Sequence, residues 1–177
     1  MTALLDSRAI TLLTALVALV ACTPVLDWRE VRVDGGSLLG LYPCRPEHRV
    51  RTVPLAAANR RMEMVACMAG DSTYAISYVD LVDPATVTGA LEALRTAAAA
   101  NVGGIRPRID PFFLRGMTPN VEATRLRVEG RLPDGKAVQE NAVFFVRGLR
   151  IYQASVIGAI PAPEAVETFL AGLKLAP

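Results

Sequence analysis

A hydrolytic site needs a nucleophile held against a base, and this chain has a single histidine, His48, from which to build one. His48 stands between Glu47 and Arg49, just after Pro46, and none of Ser37, Ser72, Ser77 or Ser155 lies in the G-x-S-x-G context that would mark a partner. A solvated histidine is the plainer reading. Asp80 and Asp83 are close enough in sequence to act as a carboxylate pair, but Asp83 precedes Pro84 and is better used capping a helix. No catalytic residue is assigned, and a non-enzymatic role is the expectation. Cys44 and Cys67 have no third ligand at zinc-like spacing, so neither a metal nor a cofactor is implied. The remaining chemistry is cationic. Arg125, Arg127 and Arg131 fall on one face of an alternating stretch, and Arg106, Arg108 and Arg115 come from the segment before it. Together they could bind an anion, either a phosphorylated lipid or a partner's acidic patch. The alternative is a solvated sheet face interrupted by Glu129.

The net charge of +2 is too small for a nucleic-acid binder, and the cations are nearly all arginine, with only Lys136 and Lys174 as lysines. The third cysteine, Cys22, has a different setting. Ala9 to Ala21 carries no charge and only Thr11 and Thr14 as polar residues, a length that suits a secretory leader and falls short of the about 20 residues of a membrane span. Asp6 offsets Arg8, so the cationic n-region is weak. The run ends in Leu19-Val20-Ala21-Cys22, which resembles the lipobox of bacterial lipoproteins: small residues before a cysteine that receives diacylglycerol. The resemblance implies a leader over residues 1–21, a lipid on Cys22 that partners the chain with the membrane, and a short tether over 22–27 before a single folded unit over 28–177. Thr23 in place of Asp implies sorting to the outer membrane, facing the periplasm. The alternatives are an ordinary cleaved signal or a short N-terminal anchor, giving secretion to the periplasm or retention in the inner membrane. In an oxidising compartment the even pair Cys44 and Cys67 is most simply a disulfide, worth roughly 3 kcal/mol in the chain-entropy account. Two unpaired thiols are the other reading.

The elements that must position these groups are legible as periodicity. Trp28 to Val33 and Leu38 to Tyr42 read as strands separated by Asp34-Gly35-Gly36, and Arg49 to Leu55, Met62 to Met68 and Thr73 to Val79 as three more, broken at Ala58-Asn59 and at Ala69-Gly70-Asp71. After Asp83-Pro84, the spacing of Val87, Leu91, Leu94 and Ala98 predicts a helix ending near Gly103-Gly104. Residues 102–123 are irregular and proline-rich. With Phe112-Phe113-Leu114 they read as a short strand or loop covering the core. Leu126, Val128 and Leu132 then alternate with charged residues, Pro133-Asp134-Gly135-Lys136 turns the chain, and the doubly apolar run Ala142 to Val146 predicts an interior strand. A turn at Arg147-Gly148 leads to Arg150–Ile157, completing a meander, and Val166, Phe169, Leu170 and Leu173 stripe a final helix.

This order of elements predicts an α+β fold, an antiparallel sheet of about six to eight strands packed against two main helices. It is similar to PsbP-like α/β/α sandwiches in its Pro43-Cys44-Arg45-Pro46 corner, mid-chain helix, Pro-Asp-Gly turn, aromatic strand and terminal helix. More closely, Asp27 to Arg32, Pro43 to Pro46, Gly116 to Asn120 and Gly130 to Gly135 resemble a group of uncharacterised proteobacterial envelope proteins. That group transfers no activity, and a shared fold carries none. The function expected is therefore a non-catalytic, lipid-anchored envelope protein that binds a protein partner or supports an envelope complex. The alternative is a small anionic-ligand binder or enzyme using a cleft under loop 102–123.

Overall fold

The computed structural model describes residues 26–104 and 107–176. The expected leader, the lipid-bearing Cys22 and Arg106 lie outside these residues. The fold is α+β, with antiparallel strands in two sheets. The larger sheet has seven strands, within the expected range, in the order β3-β4-β5-β9-β8-β7-β6. These are β3 (Glu47–Leu55), β4 (Ala58–Ala69), β5 (Ser72–Asp80), β6 (Arg108–Pro111), β7 (Thr124–Arg131), β8 (Ala137–Arg147) and β9 (Arg150–Gly158). A smaller sheet not foreseen as separate holds β1 (Arg29–Arg32), β2 (Leu38–Tyr42) and a two-residue β10 (Lys174–Leu175).

Along Ala142 to Val146 of β8 the large sheet is covered on both faces, which is why that stretch is apolar on both. One face packs under α1 (Val87–Asn101), where Val87, Leu91, Leu94 and Ala98 meet Leu126, Val128, Ala142, Phe144 and Ile151. Asp83 accepts a hydrogen bond from the Ala85 amide at 2.9 Å, but it caps a 3-10 turn over Pro84–Thr86, and the α-helix begins only at Val87. Gly130 lets the helix end approach the sheet: a Cβ there would lie 1.9 Å from the Val102 carbonyl oxygen. The other face packs against the small sheet and α2 (Pro163–Ala171). Here Tyr42, Tyr74 and Phe169 meet edge to face, and Phe145 stacks on Tyr152.

The Cys44–Cys67 disulfide is formed, with Cα atoms 6.0 Å apart, and it joins the end of the small sheet to β4 of the large one. At the opposite end of the small sheet, the turn residue Asp34 is buried. It accepts hydrogen bonds from the Leu38 amide at 2.7 Å, the Tyr152 hydroxyl at 2.5 Å and Arg150 at 3.1 Å. Burial alone would raise the Asp34 carboxyl, but these donors outweigh it and hold the group below its usual range. The small sheet is thus fastened at both ends, by sulfur and by a charge network.

Two local expectations are corrected. The β3–β4 turn is at Ala56-Ala57, both at positive φ, not at Ala58-Asn59. Leu132 lies past the end of β7 and is exposed rather than extending its buried face.

Candidate functional site

β6, β7 and β8 place Arg108 beside Arg127, Asp110 beside Arg125, and Asn141 beside Arg127, all on the face away from α1. Farther along β8 the same face carries Val143 and Phe145, which belong to the core against α2. The change from Phe145 and Val143 to Asn141 and Gln139 is therefore where the covered half of this face ends. Beyond it a groove of about 510 Å³ opens between the strands and the start of α2. Arginine, aspartate and amide side chains form the strand wall. Ile160, Pro161, Pro163 and Val166 form an apolar wall opposite, with Glu167 at the seam.

Each groove arginine already has a carboxylate. Arg108 donates to Asp110 at 2.9 Å, and Arg127 is 3.5 Å from Glu129. Arg125 makes a two-pronged bridge across the groove to Glu167, donating through Nη1 at 3.1 Å and through Nη2. The hydrogen bond to Glu167 raises the Arg125 guanidinium, and the same bond holds the Glu167 carboxyl low. The surface is a set of alternating charges rather than a bare cationic clamp.

Of the arginines singled out in the sequence, Arg108, Arg125 and Arg127 come together and two described ones do not. Arg131 is in the hairpin and donates to the Gly135 carbonyl at 2.9 Å. Arg115 lines a separate recess of about 700 Å³ with Arg147 and Leu173 to Ala176. The cleft expected under loop 102–123 is also displaced. Phe112 of that loop packs on Phe145 with centroids 5.9 Å apart, while Thr118 ties to the β8–β9 turn and Asn120 and Glu122 tie to α1. Phe113 points outward, 75% exposed. The loop contributes β6 to one wall of the groove and is itself sewn to the fold.

The candidate catalytic groups are engaged separately. Asp80 takes a bidentate bond from Arg150 at 2.6 and 2.7 Å, whereas Asp83 is the cap, so the two carboxylates do not form a pair. Ser72, Ser77 and Ser155 are buried. His48, on edge strand β3, is 2.9 Å from Glu63, which also accepts from Tyr78 at 2.6 Å and from Arg61. The Tyr78 hydrogen bond, then that of His48, hold Glu63 down at about 2.

No family model matches the chain, and no curated protein sequence matches it. Among the described residues, no group of three histidine, cysteine, aspartate or glutamate side chains is placed to hold a metal, and no helix is long and apolar enough to cross a membrane.

One buried group went unread in the sequence. Glu140 is 1% exposed on the α1 face of β8, in register with Ile157, and accepts one hydrogen bond, from Gln153 at 3.3 Å. Burial pushes its carboxyl up to about 7, against the lowering effect of Gln153. The signal was present: Glu140 shares the period-two face of Ala142, Phe144 and Val146, which makes a carboxylate there an interior one.

Proposed function

We propose that this protein is a lipid-anchored envelope protein, held in the outer membrane through Cys22, whose sandwich captures a protein partner in the groove of Arg108, Arg125 and Arg127. The observation that carries the choice of partner is the pairing of every groove arginine with a carboxylate. A free phosphate would have to displace Asp110, Glu129 or Glu167 from its arginine. A polypeptide presenting both signs of charge can exchange pair for pair while covering Pro161 and Val166. The formed disulfide supports an oxidising compartment. The resemblance to proteobacterial envelope proteins and PsbP-like sandwiches supports the placement, without carrying an activity.

The anchor and the groove are tested separately. Cys22→Ala should release the folded unit from membranes or leave an uncleaved precursor, and unchanged lipid labelling would refute the anchor. A photo-crosslinking residue at Asn141, inside the groove, should give a discrete protein adduct in intact cells. Thermal stabilisation by inorganic phosphate that is lost in Arg127→Ala, with no protein adduct, would instead favour the anionic-ligand reading.

A further inference from the structure

From the connectivity around the tether, we infer that the end of the sandwich carrying Arg45, Met68 and Ile160 is its lipid-facing pole and rests in the bilayer interface. The inference rests on the lipid anchor at Cys22 and adds the surface that the anchor presses onto the membrane. The described chain begins at Leu26, which packs on the core, and the Asp27 amide donates to the Pro43 carbonyl at 2.7 Å. Pro43 adjoins Cys44, whose Cα is 6.0 Å from that of Cys67, and Met68 follows. Across the ladder, Ser72 pairs with Gly158, two residues before Ile160. Leu26 and Asp27, the disulfide, Met68 and the loop at Ile160 therefore share one end of the large sheet.

Four residue steps separate Cys22 from Leu26, a reach of at most about 14 Å even when fully extended. A nine-residue strand such as β5 spans about 30 Å. A lipid on Cys22 thus keeps this end within reach of the headgroups, while an upright sandwich holds the other end well away from them.

The pole has the chemistry of an interfacial contact. Met68 is 71% exposed and Ile160 88% exposed, so two large apolar side chains stand at the end of the sheet nearest the tether. Arg45 lines the recess beside Met68 and Cys67 and has no ion pair among the described residues, whereas the neighbouring Arg49 is paired with Glu47 at 3.0 Å. An apolar tip beside an unpaired guanidinium suits the boundary between acyl chains and lipid phosphates. Among the carboxylates near this end, Asp134 is paired with Lys136 at 2.9 Å, Glu47 with Arg49 and Asp27 with Arg29, while Asp71 is exposed in the β4–β5 turn. The far end also exposes apolar side chains, Val82, Phe113 and Val121, but the short tether does not bring that end to the headgroups.

The test places p-benzoylphenylalanine singly at Met68, Ile160, Phe113 or Val121 of the full chain, irradiates intact cells, and weighs the protein recovered from the membrane fraction by mass spectrometry. Positions 68 and 160 should carry about tenfold more phospholipid adduct than 113 and 121, as insertion of one end requires. Equal lipid adducts at both ends, adducts chiefly at 113 and 121, or protein adducts alone at 68 would overturn the inference while leaving the anchor standing. Chains found only in the soluble fraction would defeat the anchor itself, and this inference with it.

Discussion

The two faces of the seven-stranded sheet are closed by different means. Under α1 the seal is apolar: Leu91 and Leu94 sit on Leu126, Ala142 and Phe144, and the helix end is drawn in at Gly130. The opposite face is closed only in part, by a small sheet stapled through Cys44–Cys67 and through Asp34, and by a nine-residue helix. Where that cover stops, the strands change from Val143 and Phe145 to Asn141 and Gln139, and the groove begins. One strand, β7, records both solutions: its Leu126 and Val128 are buried while Arg125 and Arg127 face the groove. A fully sealed face makes the sheet rigid. A half-covered one leaves a surface on which charged residues can meet a partner.

The largest effect should come from breaking the sealed face. Phe144→Ala removes a side chain with no solvent exposure and should cost about 3–5 kcal/mol in thermal or denaturant unfolding. Next comes the staple. Replacing both cysteines, Cys44→Ala with Cys67→Ala, opens a link across 23 residues and should cost about 3 kcal/mol. Hydrogen exchange should then rise in β1 and β2, with α1 still protected. Equal loosening of both faces would show that they do not close independently.

A comparable, pH-dependent effect belongs to Glu140, a carboxylate buried under the sealed face. Its folded pKa, about 7, lies above the ordinary 4.5. The protonated form is therefore favoured by folding, and the stability it contributes is intact below about pH 4.5, falls as pH rises through about 7, and is then fully lost. That amounts to at most about 3 kcal/mol. Glu140→Gln should flatten this slope and raise stability at pH 8. A pH slope left unchanged in the variant would mean that Glu140 is not the group responsible. The smallest effect is Arg127→Ala, which should stay within about 0.5 kcal/mol because it removes an exposed side chain from the open face. A cost approaching that of Phe144→Ala would erase the contrast between the faces.

Much of the sealed face was legible in the sequence, because a helix stripe such as Val87, Leu91, Leu94, Ala98 and a strand alternation such as Thr124 to Arg131 repeat at the period of the structure that buries them. The disulfide followed from an even cysteine pair. The half-covered face was harder. β1 and β2 have a strand's periodicity whichever sheet they join, and β10, two residues long, has no period to read. The turn at Ala56-Ala57 lacks the glycine or asparagine that usually announces positive φ. Three arginines of the groove were recognised, yet their neutralisation by Asp110, Glu129 and Glu167 was not, since Glu167 is 42 residues from Arg125 and meets it only after α2 folds back.

The most direct test of the groove is a charge swap. Arg125→Glu combined with Glu167→Arg keeps an ion pair across the groove but reverses what a partner meets. With the crosslinking residue at Asn141, the swapped protein should retain its unfolding temperature and lose most of its partner adduct in cells. An adduct at the unswapped level, with stability equally unchanged, would contradict partner capture by these charges.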